Sequence, residues 1–283
     1  MSAAPLPLVA LLTAALSVSC ARLGGIQTEP SVPARVFPAR LTIEGRPFDL
    51  HVASPSRPIA PDVLVLYASG DGGWFGSAVD MFQQIAGDGY YAVGFSSRTF
   101  LKLQRPAGEA TTVDRLVHNY QRIIAQARVT LAMPASTRTV LAGWSRGAAF
   151  AVLVASDVRA RPDLLGVVAI GLDAGEDLET SAEPEVAADD GPRTVKQHRS
   201  PFDTYRRIRS IAPFPCAVIQ ATHDNFLPAA DASRLFGVDS ETRRFFSVDA
   251  RNHRFSGGEL QFDRSLRLAL AWVVSQGRAE VSP

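Results

Sequence analysis

A serine between two glycines is the feature of this sequence that most directly suggests chemistry. The run Gly143-Trp144-Ser145-Arg146-Gly147 has the pattern G-x-S-x-G, in which the serine occupies a strained turn between a strand and a helix. Side chains at the two glycine positions would clash at such a turn. An apolar run precedes the motif and an alanine-rich run follows it, as that turn requires. The pattern predicts Ser145 as a nucleophile; the alternative is a tight turn with an ordinary serine.

A serine nucleophile needs a base and an acid that orients the base. Where the serine lies on such a turn, the acid and then the histidine follow it along the chain. His253 follows the last predicted strand and precedes the final helix, so we predict it as the base. Asp224 follows the strand before that and is the predicted acid. Asp173, at the end of an earlier strand, is the rival; its other interpretation is a cap or loop carboxylate.

A glycine-rich loop is predicted to complete the site. The run Ser69-Gly70-Asp71-Gly72-Gly73-Trp74 follows the third predicted strand, where this arrangement places one backbone donor for a tetrahedral oxyanion. We predict that donor as the amide of Gly70 or of Asp71. The amide of Arg146, directly after the nucleophile, is the predicted second donor. A plain glycine-rich turn is the alternative for this loop.

Short apolar runs alternate with amphipathic ones along the chain, which predicts a mostly parallel sheet with helices on both faces. Strands are expected within Leu41–Val52 (two, turned around Gly45) and at 63–67, 90–95, 139–142, 166–172, 216–221 and 244–248. Helices are expected at 77–86, 113–131, 148–156 and 260–274. A polar stretch at about 173–210, after the sixth strand, is expected to be a lid-like insertion. Together with the predicted nucleophile, acid and base (Ser145, Asp224 and His253), this pattern indicates the α/β-hydrolase fold.

The chain has 283 residues, 46% of them hydrophobic, and a formal net charge of +1. That charge argues against nucleic acid as a partner, because nucleic-acid binding favours a strongly basic surface. No metal-ligand spacing or dinucleotide motif is present, so we predict no cofactor and no metal. Cys216, in a predicted strand, is expected to be a buried thiol.

The first residues have the composition of an export signal. An apolar run ends in Ser17-Val18-Ser19-Cys20, which predicts a signal peptide at 1–19 and a periplasmic protein. Cys20 is a candidate for lipid attachment, although Ser17 stands where the bacterial motif has leucine. A Pro-rich linker is expected at 20–38, followed by one domain at 39–283.

The loop after the third predicted strand also carries a family resemblance. The run Ser-Gly-Asp-Gly-Gly-Trp, then Gly89-Tyr90 and Val93-Gly94, resembles the VirJ/AcvB group of bacterial exported hydrolases over about Val63 to Gly147. The resemblance implies removal of aminoacyl groups from aminoacyl-phosphatidylglycerol. Trp144 keeps the aromatic residue that this group has before the serine, but Arg146 replaces its phenylalanine.

Several residues are candidates for substrate contact if the resemblance extends to the substrate. They are Trp74, Trp144 and the basic cluster Arg98, Lys102 and Arg105, where a phosphate would bind. A solvated charged face is the alternative for that cluster. Three functions are therefore weighed. They are an exported hydrolase of aminoacylated phospholipid at a membrane surface, a general carboxylesterase, lipase or dienelactone-type hydrolase with a small ester substrate, and a non-catalytic envelope binding protein on this scaffold.

Overall fold

The computed structural model describes residues 32–104, 111–178 and 202–281. In chain order its strands are β1 (Ala34–Ile43), β2 (Arg46–Pro55), β3 (Val63–Ala68), β4 (Tyr91–Phe95), β5 (Arg138–Trp144), β6 (Leu164–Ile170), β7 (Gly175–Glu176), β8 (Phe202–Asp203), β9 (Cys216–Ala221) and β10 (Arg243–Val248). The helices are α1 (Ser77–Gly87), α2 (Ser97–Gln104), α3 (Val113–Thr130), α4 (Arg146–Ala155), α5 (Thr204–Ile208), α6 (Ala229–Phe236) and α7 (Glu259–Val281). In these ranges no helix is both long and apolar enough to cross a membrane.

Eight of the described strands form one sheet in the order β1-β2-β4-β3-β5-β6-β9-β10. The pairs β1/β2 and β2/β4 are antiparallel, and all later pairs are parallel. Every residue of β3, β6 and β9 is buried, as continuous apolar runs in a two-sided sheet should be. The predicted α/β class and mostly parallel sheet are therefore what the structure has.

Helices cover both faces of the sheet. One hydrophobic core cluster joins the sheet to α2, α3 and α4, and a second joins it to α1 and α7. Because both faces are covered, the parallel strands can present functional residues only at their ends. The carboxyl ends of β3, β5, β6, β9 and β10 carry the candidate residues.

The N-terminal hairpin differs from the expectation. The turn falls at Glu44 and Gly45, both with positive φ (48° and 73°), as tight hairpins require. The first strand, however, begins at Ala34 rather than at Leu41, so the last part of the predicted linker, 34–38, belongs to the sheet. Pro38 is tolerated there because β1 is an edge strand, where no neighbour needs its missing N–H.

The predicted insertion at 173–210 is only partly a surface feature. Residues 179–201 lie outside the described residues. On either side, β7 pairs with β8, and α5 buries Tyr205 and Ile208 in the core. Apolar residues near its end thus belong to the domain core, which the polar composition of the stretch concealed. Helices α2 and α6 were also not expected, since each has only eight residues.

Candidate active site

Ser145 lies on a sharp turn between β5 and α4. Its backbone has φ 56° and ψ −121°, a conformation that costs free energy for a residue with a side chain. The Ser145 N–H donates to the carbonyl of Ile170 at 2.8 Å, which fixes the turn to β6. A Cβ on Gly143 would lie 2.2 Å from the carbonyl carbon of Gly147, and one on Gly147 would lie 2.1 Å from the carbonyl oxygen of Ala68. Only glycine fits at either position.

His253 and Asp224 come together at the ends of β10 and β9. Nδ1 of His253 lies 2.7 Å from Oδ2 of Asp224, whose side chain is fully buried. The carboxylate also accepts hydrogen bonds from Nε2 of Gln220 at 3.1 Å and from the amide of Phe226 at 2.9 Å. A carboxylate held by this many donors keeps its place and holds the imidazole with the proton on Nδ1.

Aromatic rings and a glycine enclose the imidazole of His253. Trp144 stacks on it with ring centroids 5.5 Å apart, and Phe226 meets it edge-on at 4.8 Å. Nε1 of Trp144 also donates to the backbone carbonyl of His253 at 3.2 Å. A Cβ on Gly171 would lie 2.8 Å from Cε1 of the ring. Trp144, a predicted substrate contact, therefore contacts the predicted base.

Nε2 of His253 is buried and has no hydrogen-bond partner among the described residues. Ser145 is partly exposed, and no hydrogen bond joins its hydroxyl to that nitrogen. Catalytic hydrogen bonds are often long before a substrate binds. The arrangement therefore leaves Nε2 as the nitrogen that is available to a serine or to a substrate.

Asp173, the rival acid, makes no hydrogen bond to His253. Its carboxylate accepts from the amide of Ala174 at 2.7 Å. Desolvation by the surrounding protein is the main cause that raises the pKa of Asp173, and the negative charge of Asp224 adds to it. The hydrogen bond from Ala174 and the proximity of His253 act in the opposite direction. Asp173 thus lies within electrostatic range of the pair but is not bonded to the imidazole.

The loop after β3 lies against Ser145. A Cβ on Gly70 would be 3.3 Å from Cβ of Ser145 and 3.1 Å from Cε3 of Trp144. The carbonyl of Gly70 accepts from Oγ of Ser97 at 2.9 Å and from the amide of Gly73 at 3.1 Å. The bond from Ser97 holds the loop to the start of α2, and the bond from Gly73 closes the loop on itself.

The candidate oxyanion donors are backbone amides on both sides of Ser145. The amide of Arg146 opens α4 and has no acceptor within that helix. The carbonyl of Gly70 and the N–H of Asp71 belong to one planar peptide unit and point in opposite directions. Because that carbonyl points to Ser97, the Asp71 amide points the other way. The amide of Gly70 donates to none of the described residues.

The side chain of Arg146 is largely buried among carboxylates. Its Nη1 lies 2.7 Å from Oδ1 of Asp71, its Nε lies 3.4 Å from Oε2 of Glu176, and its Nη2 lies 3.9 Å from Oδ1 of Asp177. Burial raises the pKa of Glu176 to about 7, although Arg146 and the amide of Leu178 favour its charged form. No sequence pattern marked Glu176, which stands in the polar stretch.

The structure does not bring every predicted substrate contact to the candidate triad. The ring of Trp74 stacks on His51 at 4.2 Å and meets Phe82 edge-on at 5.2 Å. His51 belongs to β2 and Phe82 to α1, and neither is a member of the candidate triad. As a substrate contact, Trp74 stays a prediction without a geometric basis.

The basic residues lie on α2. Arg98 and Lys102 are one turn apart on that helix, with Arg98 half-buried and Lys102 exposed. The helix begins at Ser97, which is bonded to the glycine-rich loop. Arg105 lies outside the described residues.

Three further residues that shape the site were not predicted: Gly171, Gln220 and Phe226. Gln220 had a signal, because it is the one polar residue in the otherwise apolar strand β9. Gly171 and Phe226 had none, since Gly171 matters through its contact with His253, and Phe226 through its contacts with His253 and Asp224. A separate groove of about 390 Å³, bordered by Phe214, Phe236 and Arg243, contributes no residue to the candidate site.

Comparison with solved structures identifies the fold. The esterase domain of a Rhodothermus marinus protein aligns with a TM-score of 0.55 at 16% identity, covering 86% of this chain and 99% of that one. A putative dienelactone hydrolase from Klebsiella pneumoniae subsp. pneumoniae gives 0.57 at 14% identity, covering 84% and 98%. Est1E from Butyrivibrio proteoclasticus gives 0.57 at 12%, covering 84% and 99%. The chain has the α/β-hydrolase fold.

Within this fold, the central part of the chain is VirJ-like. A family model described as bacterial virulence protein (VirJ) matches residues 62–160, which run from β3 through the glycine-rich loop and α2 to α4. No curated protein matched the sequence. Ser145 lies inside the VirJ-like segment, whereas Asp224 and His253 lie beyond it.

Proposed function

We propose that this protein is a hydrolase of carboxylic esters with Ser145 as its nucleophile. The observation that carries the proposal is the buried contact of 2.7 Å between Asp224 and His253, beside a serine on a strained turn with φ 56°. A domain without this chemistry has no evident need to bury a carboxylate on an imidazole nitrogen or to strain a serine.

The proposed reaction has two halves. Oγ of Ser145 attacks the ester carbonyl carbon while Nε2 of His253 takes its proton, and the alcohol leaves with that proton as the tetrahedral intermediate collapses. Water then attacks the acyl-serine, again losing a proton to Nε2, and the acid is released as Ser145 recovers its proton. Asp224 holds Nδ1 protonated and stabilises the imidazolium throughout. The amides of Arg146 and of Gly70 or Asp71 donate to the oxyanion.

For the substrate we propose an aminoacylated phospholipid, aminoacyl-phosphatidylglycerol. The support is the VirJ-like segment, together with the two cations on α2. Arg98 and Lys102 follow Ser97, which is bonded to Gly70 at the loop beside the nucleophile. A phosphodiester bound there would lie near the catalytic edge of the sheet. Export with cleavage after Ser19 and attachment through Cys20 would bring the enzyme to this lipid.

A small soluble ester is the second candidate substrate. Its support is the whole-domain likeness to an esterase domain and to a putative dienelactone hydrolase, neither of which is described as acting on lipid. Incubating the protein with lipid extracts and with p-nitrophenyl acetate, and assaying released amino acids and nitrophenol, separates the two candidates.

A fluorophosphonate probe tests the catalytic proposal itself. The wild-type protein should be labelled, and Ser145→Ala should lose labelling and lower kcat by about four to six orders of magnitude. Ser156→Ala, at the other end of α4, is the matched control, because Oγ of Ser156 only bonds the carbonyl of Leu153. Labelling that survives in a folded Ser145→Ala protein would contradict the proposal, and no labelling of the wild type would favour a binding protein.

Export has its own test. Mass spectrometry of the protein from cell envelopes should find an N-terminus at Cys20, with the mass of a diacylglyceryl group if Cys20 is lipidated. An intact Met1 in cells that secrete other proteins normally would refute cleavage.

A further inference from the structure

Asp71 and Arg146, two of the candidate oxyanion donors, also touch through their side chains. Nη1 of Arg146 lies 2.7 Å from Oδ1 of Asp71. Asp71 belongs to the loop after β3, and Arg146 is the first residue of α4. The ion pair therefore joins the two segments that supply the donors.

We propose that the Asp71–Arg146 ion pair is a positioning device that holds the two sides of the oxyanion hole at a fixed separation. The effect of this ion pair on turnover rests on the proposed function. Its structural effect, which is to fix the loop after β3 to the start of α4, does not. Neither side chain needs to touch the substrate, because each acts through the backbone amide it positions.

The guanidinium lies in a largely buried cluster of carboxylates. Its side chain is only 12% exposed, and Glu176 and Asp177 lie on its other edges. Glu176 is itself anchored, since Oε1 accepts from the amides of Leu178 at 2.9 Å and Asp177 at 3.1 Å. An ion pair with one largely buried member is screened less by solvent than a surface pair.

The peptide unit between Gly70 and Asp71 is held at both ends. At one end its carbonyl accepts from Ser97 and Gly73, and at the other the side chain of Asp71 meets Arg146. The N–H of this unit is a candidate oxyanion donor. Breaking the ion pair removes the restraint that joins the Asp71 end of this unit to α4.

A displaced donor has a large effect on turnover. Removing one oxyanion donor lowers kcat by about 10²–10³, so a donor that is misplaced part of the time should lose some of that factor. Because the oxyanion forms only in the transition state, the loss should appear in kcat and not in KM.

Three variants test the device. Asp71→Asn and Arg146→Gln each break the ion pair, and each should lower kcat about tenfold or more while KM stays within about twofold. The double variant should be no slower than the slower single variant, since the contact between Asp71 and Arg146 can be lost only once. Arg128→Gln is the matched control. Arg128 is also 12% exposed and pairs with Asp163 at 2.8 Å, but it lies on α3, so only stability should change.

Hydrogen exchange gives a readout that needs no activity. The amide of Gly73 donates to the carbonyl of Gly70, so its exchange reports whether the loop stays closed. It should accelerate about tenfold or more in Asp71→Asn and Arg146→Gln but not in Arg128→Gln.

Each outcome decides one of the two proposals. Unchanged exchange in both ion-pair variants overturns the positioning device, whatever the activity. Faster exchange with wild-type kcat overturns its catalytic part. A wild-type protein without Ser145-dependent hydrolysis overturns the proposed function, while exchange still decides whether the ion pair holds the loop. Asp71→Asn keeps the test decisive if Arg146→Gln fails to fold, because the Asp71 side chain is 40% exposed.

Discussion

Replacing Glu176 by glutamine should change how the stability of this protein depends on pH. Burial raises the pKa of Glu176 from 4.5 to about 7. Between these two values the folded protein holds the proton and the unfolded chain does not. Raising the pH through this window therefore lowers the free energy of unfolding, because the unfolded state binds fewer protons. Glutamine cannot ionise, so the variant lacks this contribution.

The magnitude follows from the two pKa values. A difference of about 2.5 pKa units corresponds to about 3 kcal/mol, since one unit is about 1.4 kcal/mol. Most of that amount, between about 2 and 3 kcal/mol, falls between about pH 5 and pH 8. Glu176→Gln should thus gain about 2 to 3 kcal/mol relative to the wild type as the pH rises over this range. The prediction compares how the free energy of unfolding changes with pH in the two proteins. A cost of placing an amide beside Arg146 that does not depend on pH therefore cancels.

Urea unfolding followed by tryptophan fluorescence measures the effect, at several pH values between about 4.5 and 8. Glu241→Gln is the control, because Glu241 is exposed and undergoes the same loss of charge. Its curve should run parallel to that of the wild type. If the Glu176→Gln curve also runs parallel, then burial does not hold the proton on Glu176 and the reasoning fails.

Two further predictions concern the acid and the substrate. Asp224→Asn should lower kcat by about 10⁴ through the wrong imidazole tautomer, and Asp173→Asn should have a far smaller effect; a reversed order in steady-state kinetics would move the acid to Asp173. Arg98→Ala with Lys102→Ala should raise KM for aminoacyl-phosphatidylglycerol about tenfold, because charged contacts to the phosphate are lost. Turnover of p-nitrophenyl acetate should hardly change, and equal losses on both substrates would show general damage.

The fold and the position of the serine were predictable because their causes are local. The glycines at 143 and 147 are required by contacts within one turn and with the adjacent strand, and such short-range steric needs leave a pattern in the sequence. The buried strands likewise appear as continuous apolar runs. The order of acid and histidine along the chain then indicated Asp224 and His253.

Other features were not predictable because their causes lie elsewhere in the fold. The start of β1 was assigned to a linker, since Pro38 is compatible with a strand only at a sheet edge. Burial raises the pKa of Glu176. Arg146, which lies beside it, belongs to a turn that is distant in the sequence. Trp74 stacks on His51, a contact that the glycine-rich loop pattern does not indicate. The spacing of residues in the sequence does not predict such tertiary contacts.

Gly171 gives the sharpest test of whether the position of the imidazole matters. A Cβ there would lie 2.8 Å from Cε1 of His253, and its φ is +57°. Gly171→Ala should therefore displace the ring, and a displacement of about 1 Å can lower kcat about 10²-fold. Gly45→Ala is the matched control: its φ is +73° but nothing lies within 4 Å of its Cβ. Both variants should lose about 1 kcal/mol of stability from backbone strain, measured by urea unfolding. Because the strain is shared, only the contact with His253 distinguishes them, and equal kcat values in the two variants would show that the ring is not catalytically placed.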